Sequence, residues 1–288
     1  MTPNKWFNLK FKKNNNISKS KVKKYLLSVK KERGLSCPNC GSDNFCNIDS
    51  RNILQCKNCN HQISATTGTV FHNVQDIQKW IYAFWLMCDN KELSTNQLKK
   101  TVGFGSPNTA KKCVKIIQLL MGEHNSDPFS NNIYLDTFKL TLNNDSQYFL
   151  LASTKPEDNE LPKRIMMKKI NHYKTNYNNF IKNNIQKNIF VCFGDSIDLS
   201  QNQIMPKKYK FSSNIIALNE IYDLFKEWYN NNYRFRSFPD NFDYLMPEFV
   251  WRYNHYKLDQ NSNDFKVRNK QKKLFEQLIK LSFDYEMG

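Results

Sequence analysis

Four cysteines constrain this chain more than any other feature. Cys37 and Cys40 sit in C-P-N-C-G and Cys56 and Cys59 in C-K-N-C, with fifteen residues between the two pairs. A Cys-x2-Cys turn presents two thiolates from one side. Two such turns supply the four soft ligands at tetrahedral corners that Zn2+ takes in structural sites. The spacing predicts a zinc ribbon, a small module stapled by metal; two disulfides or buried free thiols are the alternative. Thiolates that hold a metal must stay reduced, so a reducing compartment is expected, either a bacterial cytoplasm (nucleoid-associated) or a nucleus. The remaining cysteines, Cys46, Cys88, Cys113 and Cys192, are scattered.

At 288 residues the chain is long enough for one good-sized core and one or two small modules. Its net charge of +17 points to a polyanionic partner. Lys far outnumbers Arg and Asn is abundant, a bias that AT-rich coding also produces. The charge is spread along the whole chain instead of one amphipathic face, which disfavours a membrane surface. The densest apolar run, Trp80 to Cys88, is far too short to span a bilayer. The basic, polar start, M-T-P-N-K-W-F-N-L-K, does not read as a secretion signal, so a soluble protein is expected.

Periodicity divides the chain into expected segments. Residues 1–34 read as a basic arm followed by a helix over Ser18–Arg33, with Val22, Tyr25, Leu26 and Val29 as its apolar stripe and Gly34 as its stop. Residues 35–74 hold the ribbon, with strand-like pieces Phe45–Ile48 and Ile53–Gln55, and then the Thr-rich run S-A-T-T-G-T-V-F-H. Residues 75–127 carry helical patterns at Asp76–Cys88, Ser94–Val102 and Asn108–Met121, the last two joined by a turn with Gly103 and Gly105. Helix, short glycine-containing turn, helix is a helix-turn-helix pattern. Lys99, Lys100, Lys111, Lys112 and Lys115 fall in or near its recognition helix and are candidate DNA contacts; a plain helical bundle with solvated lysines is the alternative.

In residues 128–288 the period changes from helical to alternating. Strands are expected at Ile133–Leu142, Gln147–Ser153, Arg164–Ile170 and Asn188–Phe193, and helices at His172–Asn184 and Ile215–Tyr229. The order β-β-β-α-β-α is that of a ribonuclease H-like domain. The expected fold class is therefore a multi-domain α+β chain: zinc ribbon and helix-turn-helix first, a ribonuclease H-like α/β catalytic domain after.

Asp136 lies mid-strand in I-Y-L-D-T-F, where a carboxylate is costly unless it is paired or binds a cation. Asp195 follows the buried strand I-F-V-C-F-G, at the carboxyl end where α/β sheets present functional side chains. Adjacent first and fourth strands bring the two acids together, a poor structural choice and a good divalent metal site for phosphodiester chemistry. Taken alone, Asp195 reads equally as a turn cap. A third ligand is expected from the following helix, either Asn219, on a stripe with Tyr222 and Lys226, or Glu220, which shares a face with Asp223 and Glu227.

The runs G-L-S-C-P-N-C-G-S, Q-C-K-N-C-N-H-Q-I-S-A-T-T-G-T-V-F-H, K-W-I-Y-A-F-W-L-M and E-L-S-T-N-Q-L-K-K-T-V-G-F-G-S-P-N-T-A together resemble the insertion-sequence transposases that join an N-terminal zinc ribbon to an ISXO-type, Merlin-related catalytic domain. P-E-F-V-W-R-Y-N-H-Y resembles that family's Glu-Phe-x-x-Arg-x-Asn motif at Glu248, Phe249, Arg252 and Asn254. The resemblance implies a DNA transposase of the Asp-Asp-Glu or Asp-Asp-Asn type, binding element terminal repeats and target DNA as a homo-oligomer, with structural Zn2+ and catalytic Mg2+ or Mn2+. Asp136, Asp195 and either Glu220 or Asn219 are then its catalytic residues. The chain departs from the family where Thr137 stands for a Glu, where a Gly-Gly-Lys stretch is missing, and where Gly194-Asp195-Ser196 replaces a Thr-Asp-x-Trp context. A catalytically inactive, decayed or domesticated zinc-ribbon DNA-binding protein is the alternative.

His72, His124, His172 and His255 have no partner at metal spacing and read as ordinary residues; His61, two past Cys59, is a spare ligand beside a complete set. Trp228, Tyr229, Tyr233, Phe235 and Phe238 with Arg234 and Arg236 read as core plus loop, with base stacking as the alternative.

Overall fold

A computed structural model describes residues 17–89, 93–142, 145–155, 161–171, 177–194, 208–212, 216–233, 242–256 and 265–284. The chain forms two compact units, Met1–Leu120 with Asn263–Gly288, and Met121–Ser262.

The first unit begins with α1 (Lys19–Glu32), whose N-terminus is closed by the Ser18 hydroxyl accepting from the Lys21 amide. Val22, Leu26, Leu27 and Val29 bury one face. The ribbon is a three-stranded antiparallel sheet of β1 (Phe45–Ile48), β2 (Ile53–Cys56) and β3 (Gln62–Ser64), in that order. Asn52, at φ 51°, completes the β1–β2 turn in the left-handed region that Asn tolerates better than most residues. Three polar pairs tie α1 to this hairpin: Ser20 to Asn52, Lys24 to Asp49 and Lys31 to Asn47.

Three helices follow: α2 (Ile77–Met87), α3 (Thr95–Val102) and α4 (Pro107–His124). Ser94 and Gln97 form a reciprocal capping box on α3, and Gly103 ends it at φ 75°. Ser106 accepts from Asn108 to start α4, whose first residue is the φ-restricted Pro107.

The second unit is built on a five-stranded sheet of β4 (Ile133–Leu142), β5 (Asp145–Thr154), β6 (Ile165–Ile170), β7 (Phe190–Gly194) and β8 (Lys208–Ser212), with α5 (Asn178–Asn184) between β6 and β7. The strand order is β6-β5-β4-β7-β8. β4, β5 and β6 form an antiparallel meander, while β7 runs parallel to β4 and β8 parallel to β7. Alternation along each strand sorts the side chains between two layers. Ile133, Leu135, Leu150, Ala152, Val191 and Phe193 face Phe180 and Ile181 of α5. Tyr134, Phe138, Phe149, Leu151 and Cys192 face Leu218, Ile221 and Phe225 of α6 (Ile216–Tyr233) and Phe249 and Tyr253 of α7 (Phe242–Tyr256). The unit is thus helix, sheet, helix in three layers.

The last element, α8 (Phe265–Leu281), belongs to the first unit. Phe275 packs on Tyr25 and Trp85, with ring centroids 6.4 and 5.6 Å away; Gln271 donates to the Trp85 carbonyl and Val70 to the Ser282 carbonyl. The expected segment 128–288 therefore divides near residue 262, because its last helix finds its apolar partners on α1 and α2. Three elements, β8, α7 and α8, stand beyond the expected order. The expected helix His172–Asn184 coincides with α5 only over its second half, and residues 172–176 lie outside the described ones.

Candidate metal centre and acidic cradle

The two knuckles converge at one end of the ribbon. The sulfurs of Cys37, Cys40, Cys56 and Cys59 all lie within 4.8 Å of one another, with Cys37–Cys59 and Cys40–Cys56 at 3.5 Å. Four thiolates bound at about 2.3 Å to one tetrahedral ion lie about 3.8 Å apart, so the set fits Zn2+. The Cys56 position is set by the sheet, since it pairs with Phe45 on β1. The knuckle turns are set locally: Gly41 donates to the Cys37 carbonyl and Asn60 to the Cys56 carbonyl. The Asn39 side chain, followed by the His61 backbone amide, pulls the Cys59 thiol down to about 6. These four cysteines form a zinc-binding site. His61 is exposed and gives its backbone carbonyl to the Cys56 amide. Cys46 is exposed on β1 away from the cluster, and Cys88, Cys113 and Cys192 are buried core thiols.

Lys30 is a residue of this region that sequence reasoning missed. It is 7% exposed, and its Nζ donates to the carbonyls of Ser64 at 2.9 Å and Thr67 at 2.5 Å. It thereby clasps the Thr-rich turn, in which Ser64 Oγ accepts from the amides of Thr66 and Thr67. Burial lowers its ammonium to about 8. The available signal was its position four after Leu26, on the apolar stripe where a solvated lysine has no place.

On α3 and α4 the lysines lie outward. Lys100, Lys111, Lys112 and Lys115 are exposed and Lys99 is half-buried, while Leu98, Val102, Ala110, Cys113, Val114 and Ile117 fill the opposite faces. Among the described residues no acidic side chain forms an ion pair with Lys99, Lys100, Lys111 or Lys112.

In the second unit Asp136 stands opposite Leu151 on β5 and projects from the α6/α7 side of the sheet. Its Oδ1 accepts from the Thr137 amide at 2.7 Å, and its carboxylate lies over the bare Cα of Gly194, the last residue of β7. Asp195 lies outside the described residues. Asn219 and Glu220 are both exposed near the start of α6, one turn before Tyr222. Tyr222 packs on Phe138 at 4.6 Å and donates its hydroxyl to the Lys139 carbonyl. After burial itself, the Glu220 charge is the second cause raising the Tyr253 phenol of α7.

In the Glu248–Asn254 motif Glu248, Phe249 and Arg252 are buried and Asn254 is half-buried, and the described bonds of its polar residues hold the unit together. Arg252 donates twice to Glu248 Oε1 at 2.9 Å, with both residues at most 2% exposed. Asn254 closes a two-way bond with Ile165, accepting from its amide and donating to its carbonyl, and so holds the edge strand β6. Of the aromatic cluster, Trp228 and Tyr229 are core residues, and residues 234–240 lie outside the described ones. His124 and His255 approach each other at 3.2 Å.

Among the described residues no helix is long and apolar enough to cross a membrane. No curated protein and no solved structure matches the chain. One family profile does match, and it covers most of α1 and of the ribbon: residues 21–62 are similar to the transposase zinc-ribbon domain, which supports an insertion-sequence transposase.

Proposed function

We propose that this chain is a DNA transposase of the Asp-Asp-Glu/Asn class, with a ribonuclease H-like catalytic unit behind a DNA-addressing zinc ribbon. One observation carries the reading. Behind a transposase-type ribbon stands a five-stranded sheet of order β6-β5-β4-β7-β8, with an acid on its central strand beside the carboxyl end of the parallel strand β7. That order supports a ribonuclease H reading, in which acids from the first and fourth strands stand side by side. Asp136 and Asp195 are the two proposed acids, and α6 supplies the third group. Asn219 is the better candidate, because it shares a stripe with Tyr222, which packs over β4. The Asp136 cradle suits a divalent cation, since a half-buried carboxylate at the end of a sheet offers the hard oxygen ligands such ions take. Mg2+ or Mn2+ bound there would supply Lewis acidity for phosphodiester cleavage and strand transfer.

The protein's own contribution is to hold the DNA and orient the acids. α3, residues 103–106 and α4 act as a helix-turn-helix, with Lys99, Lys100, Lys111, Lys112 and Lys115 neutralising phosphates. Each phosphate contact steepens the salt dependence of binding by about 0.9 in log–log slope. Two element ends must be held at once, so the active form is a homo-oligomer on double-stranded DNA.

A second reading is favoured by the departures at Thr137 and Gly194-Asp195-Ser196: a zinc-ribbon DNA-binding protein without catalysis. Strand transfer on the native element ends with Mg2+ decides between them. The transposase reading expects product from the wild type and none from Asp136→Ala or Asp195→Ala. DNA binding without product from the wild type selects the second reading, and equal product from all three proteins refutes the assigned acids.

A further inference from the structure

Gly194 is buried at the end of β7, and its φ lies outside the left-handed region, so its backbone conformation is open to any residue. The space around it is not. A Cβ built there would meet the Asp136 carboxylate, with Oδ1 at 2.7 Å and Oδ2 and Cγ closer still. All three obstructing atoms belong to that one side chain. The register explains the encounter. β4 and β7 pair in parallel with Leu135 opposite Phe193, so Asp136 and Gly194 are the next neighbours along the ladder, on the same face. On every other described strand that borders Asp136 an ordinary side chain fits; Leu151 stands opposite it on β5.

We infer that Gly194 is a positioning residue for the Asp136 carboxylate: it leaves vacant the volume of a Cβ so that this carboxylate can lie across the β7 end. This rests on the reading of Asp136 as a cation ligand. Thr137 fixes one oxygen through its amide, and the missing Cβ fixes where the carboxylate plane sits. Any side chain at 194 swings the carboxylate off the end of β7. The fold survives, because the obstructing group is the end of a half-buried side chain and not backbone.

Two measurements on the full-length, zinc-loaded protein test this. The first is a Mn2+ titration followed by electron paramagnetic resonance. Gly194→Ala is expected to weaken Mn2+ binding at least tenfold, as Asp136→Asn does, with the zinc content unchanged. Wild-type affinity in Gly194→Ala, against a loss in Asp136→Asn, overturns the inference. A wild type with no Mn2+ site that Asp136→Asn removes overturns the catalytic reading and this inference with it. The second is a thermal cycle that needs no added cation. Gly194→Ala is expected to lower the unfolding midpoint of the otherwise native chain by a few degrees and to leave it unchanged in an Asp136→Ala background. Equal lowering in both backgrounds shows that the glycine answers to something other than Asp136 and refutes the cradle.

Discussion

Replacing Lys30 by methionine keeps the length of the side chain and removes its donors. The Ser64 and Thr67 carbonyls then lose a charged partner each. Hydrogen bonds to charged groups contribute about 1.5–3 kcal/mol apiece, a gross loss of about 3–6 kcal/mol. Against this stands the relief of an ammonium whose burial lowers it from 10.5 to about 8. At about 1.4 kcal/mol per unit, and discounted for partial solvent screening, that relief is about 2 kcal/mol. The net cost of Lys30→Met is then about 2 kcal/mol, or roughly 30-fold in the local opening equilibrium. Amide hydrogen exchange over residues 64–71 reads that opening directly. Exchange within twofold of the wild type in Lys30→Met would refute the clasp. A pH arm checks the sign. The unfolded lysine still holds its proton between about 8 and 10.5 where the folded one has released it, so the unfolded state binds more protons and stability rises with pH through that window. The neutral amine keeps two N–H groups for the two carbonyls. Protection of 64–71, corrected for intrinsic base catalysis, should therefore rise from pH 7.5 to 9.5 in the wild type relative to Lys30→Met. A fall over that range contradicts the assignment.

Chelation or Cys56→Ser should strip one zinc per chain and unfold residues 35–65, since structural zinc contributes on the order of 10 kcal/mol in such modules; elemental analysis and circular dichroism check it. Arg252→Met takes its cationic partner from the buried Glu248 and should cost about 3–5 kcal/mol in chemical denaturation, while Glu248→Leu with Arg252→Met should recover most of the loss, and additive costs would contradict the pairing. Ending the chain after Ser262 removes α8 from Tyr25 and Trp85, so exchange at the Val70 amide should speed at least tenfold; unchanged protection there would show that the first unit stands without α8.

Much of the local structure is readable from the chain. The expected helix Ser18–Arg33 is observed as Lys19–Glu32, and the strand Ile133–Leu142 has the same ends in both, because caps and apolar periodicity act over a few residues. The elements beyond the expected order fail for stated reasons. β8, K-Y-K-F-S, is five residues long and carries two lysines, too short and too polar to stand out from loop. α7 contains Pro247, which reads as a break; Pro247 Cβ lies 3.2 Å from where a Gly122 Cβ would stand, a tight contact that the glycine at 122 avoids. α8 has a visible apolar stripe but no sign of which unit it will join. The Glu-Phe-x-x-Arg-x-Asn motif is visible as letters, yet its work, a buried ion pair and a clamp on Ile165, involves a strand some ninety residues away.

The zinc site is legible in the chain's letters, because a Cys-x2-Cys turn presents its two sulfurs whatever the rest of the chain does, and two turns joined by a short hairpin have few ways to meet. So is the alternation that separates the two faces of the large sheet. What stands beside Asp136 follows from the fold alone. Pairing β4 with β7 in one register brings a glycine under its carboxylate, and a one-residue slip would turn that acid's neighbour to the other face. Strand register is set by the summed packing of both sheet faces, a quantity that no local stretch of residues contains.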